Sequence, residues 1–372
     1  MISNTGVNSM RIRFWTVLTL AWLALGVIGC TAAGTDEGSV VKSTAVDTPA
    51  VNQTEAGALE ASPPSAQQSK PTFTNPVLDQ DFPDPDVLLV DGVYYAYATN
   101  SGETNILVSR STDLVHWTNL QDALPNLPSW ASQEFGYAWA PEVFRRAVEP
   151  QYVMYFVARF AIGRGGTQCI GVAVSPVPEG PFESPDPEPF ICQRDEGGSI
   201  DAATFMDDDG QLYVLWKNDG NSITGKTYIY VQKASPDGMT LEGEPTRLIT
   251  SDQIWEGVLV EAPTLWKNDG RYYLFYSANA YNDRRYAVGY AVADSVLGPY
   301  EKSVDPLLKT DLPAGIVGPG GQDIVIGPQG GEWMLYHGWA PGGYRRLYLS
   351  PLTWENGTPV VTPDGKNPIP MP

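Results

Sequence analysis

The fold is decided by the stretch Asp84-Pro85-Asp86-Val87-Leu88-Leu89-Val90-Asp91-Gly92-Val93-Tyr94-Tyr95-Ala96-Tyr97-Ala98. It reads as a short apolar strand, an Asp-Gly turn and a second strand rich in aromatics. The pattern returns at Asp201-Ala202-Ala203-Thr204-Phe205 with Asp209-Gly210 and Leu212-Tyr213-Val214-Leu215-Trp216. It returns again at Glu261-Ala262-Pro263-Thr264-Leu265-Trp266 with Asp269-Gly270 and Tyr272-Tyr273-Leu274-Phe275-Tyr276. Each of these three units opens on an acid.

Turn points fall at Asp91-Gly92, Glu149-Pro150, Asp209-Gly210, Asp269-Gly270 and Gly330-Gly331, at intervals of 58, 60, 60 and 61 residues. An aromatic strand follows each turn, and a third strand follows that, as in Ile170-Gly171-Val172-Ala173-Val174 and Leu347-Tyr348-Leu349-Ser350. No helical periodicity appears after residue 74. Five units of three or four strands predict an all-β chain folded as a five-bladed β-propeller, whose radial repetition leaves only short sheet edges. A double-layer sandwich is the competing architecture, and the repeated phase of turn and aromatic strand argues against it.

The composition agrees. A chain of 372 residues that is 42% hydrophobic can bury a large core, and 37 Gly with 32 Pro suit many short strands and turns. A formal charge of -20 leaves no basic surface to neutralise phosphates, so nucleic acid is excluded as a partner. A neutral substrate suits this charge better than a polyanion.

The N-terminal region is set apart. Arg11 and Arg13 precede an apolar run from Phe14 to Gly29, closed by Val27-Ile28-Gly29-Cys30. That is the layout of an export signal, too short to span a bilayer that needs about 20 residues. A Cys directly after the small residue resembles the bacterial lipobox and predicts lipidation of Cys30, with ordinary cleavage nearby as the alternative. Residues 1–30 are therefore read as a lipoprotein-type signal. Residues 31–72, rich in Thr, Ala, Glu, Ser, Pro and Gln and without aromatics, are read as a disordered tether, and 73–372 as the propeller. The expected product is exported, either secreted or held at the bacterial cell surface, meeting the membrane only through its lipid. A monomer is expected. Cys169 and Cys192 can pair in an oxidising compartment or remain free thiols. With two His in the chain, a His-rich metal centre is excluded.

In a propeller the first strand of each blade lines the axis, so residues of like phase converge at one end of the channel. Asp84, Asp201 and Glu261 lie eight or nine residues before the Gly of their turns. Three converging carboxylates must shift at least one pKa upward, which is what a general acid near neutral pH requires. Glycosidic bond cleavage uses such an acid and base with no cofactor. The rival reading is a bound hard cation, since axial carboxylates suit calcium. Asp86 and Asp91 read as turn caps, and Glu142, in Trp139-Ala140-Pro141-Glu142, aligns with Asp86 rather than Asp84.

Asn75-Pro76-Val77, Phe82-Pro83-Asp84-Pro85-Asp86, Trp139-Ala140-Pro141-Glu142, Ser199-Ile200-Asp201-Ala202, Asp207-Asp208-Asp209-Gly210 and Val260-Glu261-Ala262-Pro263 resemble, in order, the sequence blocks of glycoside hydrolase family 43. The resemblance covers about residues 75 to 365. It implies a five-bladed propeller that hydrolyses arabinose- or xylose-containing polysaccharides with inversion, with arabinan or arabinoxylan as partner. Asp84 then matches the general base, Glu261 the general acid and Asp201 the residue that tunes and orients the acid. An inverting pair stands roughly 6.5–9.5 Å apart, which leaves room for water. α-L-Arabinofuranosidase activity is the favoured expectation, with endo-1,5-α-L-arabinanase or β-xylosidase as enzymatic rivals. A non-catalytic carbohydrate-binding propeller is the rival of another class.

The chain departs from the family pattern at Glu142, where many members carry Asp, and at Gly318-Pro319-Gly320-Gly321-Gln322, where many place a His. No cofactor is required. A structural calcium or sodium ion on the axis, near Gln322 and His337, is left open. Trp139, Trp255 and Trp339 offer stacking faces for sugar, and Glu142, Arg345 and Arg346 offer polar contacts to it.

Overall fold

In the computed structural model the described residues are 71–134, 136–161 and 165–372. The expected signal, Cys30 and nearly all of the tether lie outside them. Strand β1 (Thr72–Phe73) precedes five sheets. Blade 1 holds β2 (Asp86–Val90), β3 (Val93–Ala98), β4 (Leu107–Ser111) and β5 (Thr118–Asn119). Blade 2 holds β6 (Ala138–Arg145), β7 (Tyr152–Arg159) and β8 (Gln168–Ser175). Blade 3 holds β9 (Ser199–Met206), β10 (Leu212–Asn218), β11 (Tyr228–Ala234) and β12 (Leu241–Thr250). Blade 4 holds β13 (Val260–Asn268), β14 (Arg271–Ala278), β15 (Ala287–Ala293) and β16 (Glu301–Lys302). Blade 5 holds β17 (Gly320–Ile326), β18 (Glu332–Trp339), β19 (Arg345–Glu355) and β20 (Thr358–Val361).

All neighbouring strands are antiparallel, and each turn point named above joins the first strand of a blade to its second. The described residues contain no α-helix, only short 3-10 turns. The architecture is the five-bladed propeller that the repeat predicts.

A short β21 (Ile369–Pro370) pairs back with β1, which carries the folded region as far as Thr72, inside the segment read as tether. The same seam is stitched by Asn75, whose side-chain amide donates to Leu349 O at 2.7 Å and whose Oδ1 accepts from Leu349 N at 2.9 Å.

Each seam between blades has its own apolar core. Tyr97, Trp130 and Phe156 fill the first, Val214, Trp216 and Tyr230 the second, Leu215, Leu274 and Tyr276 the third, and Phe275, Met334 and Tyr336 the fourth. Phe82, Val87, Leu335 and Leu349 close the ring. Alternating faces of the second strands supply both neighbours of a blade, so the aromatic stripes serve blade-to-blade packing. Cys169 and Cys192 form a disulfide with a Cα–Cα distance of 4.8 Å, flanking blade 2.

One irregularity recurs five times. Asp84, Ala140, Asp201, Ala262 and Gly321 all have positive φ, between 45° and 55°. Asp84 stands two residues ahead of its first strand and the others lie within the first three residues of theirs, and in blades 2 to 5 the ladder shifts register there. A left-handed residue in a bulge bends the strand and re-aims the neighbouring side chains. Here it turns them toward the axis at one end of the channel.

Candidate active site

That end opens into a cavity of about 490 Å³. It is lined by Asp84, Asp201 and Glu261 with Trp139, Tyr281 and Arg345, and deeper down by Asp86, Glu142 and Asp323. Asp84 and Asp201 themselves hold the left-handed position of blades 1 and 3, whereas Glu261 precedes that position in blade 4 by one residue. The three acids therefore meet through different backbone geometry and are not strictly in phase.

Their surroundings differ sharply. Asp84 receives Arg345 Nη1 on Oδ1 at 2.9 Å and the Thr99 hydroxyl on Oδ2 at 2.6 Å. Its backbone N–H donates to His337 Nδ1 at 3.1 Å. Burial opposes ionisation of Asp84, but Arg345, His337 and Thr99 together outweigh it and hold the carboxyl well below the usual carboxylate range. It is a stable anion. Asp201 has one bond to Ala262 N at 3.0 Å, and burial beside Glu261 and Asp84 pushes its pKa up to about 7 despite Lys217. Glu261 accepts from Lys217 Nζ on Oε2 at 3.1 Å and from Tyr286 OH on Oε1 at 2.8 Å. One site thus holds an ionised carboxylate, a carboxyl titrating near neutrality, and a third carboxyl gripped at both oxygens.

A second trio of carboxyls lies beneath. Asp86, Glu142 and Asp323 each sit two residues past a left-handed position, so Glu142 is in phase with Asp86 as its alignment predicts. Each reaches across a seam to the next blade: Val143 N donates to Asp86 at 2.9 Å, Thr204 N to Glu142 at 2.7 Å and Val87 N to Asp323 at 2.8 Å. The Thr204 hydroxyl adds a short bond to Glu142. Asp86 is thus a stitch between blades 1 and 2 and not a cap of its own turn. Burial and the charge of Asp323 push Glu142 up to about 8, and burial lifts Asp323 to about 6. Burial and both neighbours raise Asp86 well above its ordinary value.

The remaining expected residues divide. Trp139 and Arg345 line the cavity. Trp339 stands behind that wall, stacked on Tyr281 with its Nε1 donating to Tyr281 O at 2.8 Å. Trp255 does not reach the cavity: it packs on Tyr276 and over Gly289, and its Nε1 is taken by Gln253. Arg346 does not reach it either. Successive strand residues face opposite ways, and Arg346 pairs with Asp79 at 2.6 Å. At the position expected for an axial ion, His337 Nε2 is buried with no hydrogen-bond partner among the described residues. Gln322 accepts from Ser277 and donates to Ala262 O, while His337 Nδ1 is occupied by the Asp84 N–H. Among the described residues no three His, Cys, Asp or Glu side chains are grouped as metal ligands.

Sequence reasoning missed Lys217, Tyr286 and Thr99, which come from second strands and the loops that follow them. Lys217 had a visible signal: a lysine inside β10, a strand buried along its whole length, needs a carboxylate partner.

A propeller whose channel mouth gathers a carboxylate of lowered pKa and two further, differently held carboxyls has the machinery of acid–base glycoside hydrolysis. The model of glycosyl hydrolases family 43 matches residues 73–359, and the chain belongs to that family of inverting glycoside hydrolases. It is 31% identical over 280 residues to the Beta-D-galactofuranosidase xynD of Aspergillus niger, covering 71% of this chain and 75% of that one. It is 29% identical over 308 residues to an extracellular exo-alpha-(1->5)-L-arabinofuranosidase of Streptomyces chartreusis, covering 76% and 88%. It spans 51–65% of some longer relatives. Among solved structures, a thermostable family-43 glycoside hydrolase superposes with a TM-score of 0.73 at 32% identity, covering 81% of this chain and 99% of that one.

Proposed function

We propose that the protein is an exported, exo-acting α-L-arabinofuranosidase that attacks arabinose-containing plant polysaccharides, arabinan or arabinoxylan. The observation that carries this reading is the contrast between Asp84, held ionised, and Glu261, gripped beside the neutral-titrating Asp201. Asp84 takes a proton from a water that attacks the anomeric carbon on the face away from the leaving oxygen. The C–O bond to the leaving group breaks as the new C–O bond forms, and Glu261 gives its proton to the departing oxygen. Asp201, held by the Ala262 N–H beside Glu261, orients the acid. Trp139 and Tyr281 offer rings on which the sugar stacks.

The Aspergillus niger relative favours a second reading. β-D-Galactofuranose has the ring configuration of α-L-arabinofuranose plus one hydroxymethyl group, so a site built for one furanoside accepts the other if that group finds room. Endo-1,5-α-L-arabinanase, β-xylosidase and a non-catalytic carbohydrate-binding propeller are separated from these by one panel. Purified protein is assayed on 1,5-arabinan, arabinoxylan, xylo-oligosaccharides and aryl β-D-galactofuranoside, and the first-formed anomer is followed by proton NMR. The reading expects free arabinose with inverted configuration from the start of the reaction. Xylose alone, internal cleavage into oligomers, or no turnover rejects it.

A further inference from the structure

Blade 5 brings no carboxylate to the catalytic trio, yet it stands between Glu261 in blade 4 and Asp84 ahead of blade 1. What fills that gap is a pair of parallel rings. Tyr286, which ends the loop before β15, donates its hydroxyl to Glu261 Oε1 at 2.8 Å. Its ring stacks on that of His337 in β18, with centroids 5.7 Å apart and planes within 6°. His337 Nδ1 accepts the Asp84 N–H at 3.1 Å and lies 3.3 Å from Asp84 Oδ1. A continuous line of contact therefore runs from one catalytic carboxyl to the other through two buried rings, Tyr286 being 1% and His337 0% exposed.

The sequence has been cleared to admit it. A Cβ on Gly320 would fall 2.0 Å from Tyr286 Cε1. A Cβ on Gly321 would fall 2.7 Å from His337 Nδ1 and 3.0 Å from Asp84 Oδ1. The two glycines, within a motif the catalytic reading leaves unused, cannot carry a side chain without displacing the rings or the base. Burial, with Arg345 alongside, keeps His337 below its ordinary pKa, and its Nδ1 faces the Asp84 N–H.

We propose that Tyr286 and His337 form a rigid spacer that fixes the separation and aim of Glu261 and Asp84, Tyr286 acting as a positioning residue for the acid and His337 for the base. In an inverting enzyme that separation decides whether water fits between sugar and base, so holding it matters as much as the carboxyls themselves. The proposal rests on the assignment of Glu261 as acid and Asp84 as base.

The test compares kcat and KM of wild type, E261Q, Y286F and H337F on two arabinofuranosides, one with a 2,4-dinitrophenyl leaving group that needs no protonation and one with a 4-methoxyphenyl group that does. E261Q should lose roughly 100-fold or more on the methoxyphenyl substrate and far less on the dinitrophenyl one. If it does not, the acid assignment fails, and the spacer with it. With that control in place, Y286F should lose roughly 10- to 100-fold in kcat on the methoxyphenyl substrate and under about 3-fold on the dinitrophenyl one, with KM little changed. An equal loss on both, or none, overturns the spacer while leaving Glu261 its role. H337F keeps a stacked ring but loses the acceptor for Asp84. It should lose roughly 10-fold on both substrates alike, since water must be activated for either. If Y286F does not fold, H337F decides: a loss selective for the methoxyphenyl substrate, or no loss, overturns the proposal.

Discussion

Arg345 donates from Nη1 to Oδ1 of Asp84 across 2.9 Å, joining β19 of the last blade to the residue that leads into the first. The guanidinium also lies over the Tyr281 ring at 5.0 Å. It thus fixes Asp84 and shapes the wall of the cavity together. One side chain contributes both to closure of the ring and to the low pKa of Asp84.

Replacing Arg345 by Met therefore has a signed consequence. Asp84 works as a base only when ionised, and Arg345 is the main charge holding its pKa down. Without it that pKa rises, and the ascending acid limb of kcat/KM moves to higher pH by about one unit or more, with kcat/KM reduced roughly 10- to 100-fold. The pH–rate profile of R345M checks this. An acid limb that stays where it is contradicts the role given to the pair.

Stability should fall on the alkaline side. Burial and mutual charge raise Asp86, Glu142 and Asp323 above their ordinary values, Glu142 to about 8 and Asp323 to about 6. A carboxyl whose folded pKa is raised contributes stability that is fully present below its unfolded pKa and is lost as pH rises through the folded one. Thermal melts should therefore show Tm dropping between pH 5 and pH 9, by about 5 °C in order of magnitude. E142Q keeps an acceptor for Thr204 and cannot ionise, so its Tm should vary less across that range. A wild-type Tm that is flat or rises toward pH 9 contradicts the raised values.

Trp139 and Trp255 should separate by readout. Trp139 lines the cavity, so W139A should raise KM by roughly 10-fold, the equivalent of about 1.4 kcal/mol of lost sugar contact. Trp255 is packed over Gly289 against Tyr276, so W255A should leave KM unchanged and lower Tm, at a cost of about 2 kcal/mol. Steady-state kinetics with thermal melts of both variants decide it.

The blades were legible because Asp-Gly turns and aromatic strands are local chemistry, repeated at a steady interval. Asp84 and Asp201 could be found by counting back from those turns, since both take the left-handed residue of the bulge. Glu261 appears in the same count although it stands one residue earlier, because a count of eight or nine does not resolve a bulge. The partners that give these acids different chemistry lay beyond such counting. Thr99 is 15 residues from Asp84, Lys217 is 44 from Glu261, and Arg345 is 261 from Asp84. Thr99 meets Asp84 within blade 1, Lys217 meets Glu261 across the seam of blades 3 and 4, and only the Arg345 contact follows from ring closure. Trp255 and Arg346 were misplaced for the opposite reason: an aromatic or arginine near a strand end looks alike whichever face it takes, and that face is set by the neighbouring blade.

In the proposed mechanism Asp84 and Glu261 carry the reaction as base and acid. The deciding measurement is the rate of arabinose release from 1,5-α-L-arabinotriose by wild type, D84A and E261A, with folding checked by circular dichroism. Wild type should turn the substrate over, and each variant should lose roughly 1,000-fold or more. Wild-type rates in either variant would contradict the assignment.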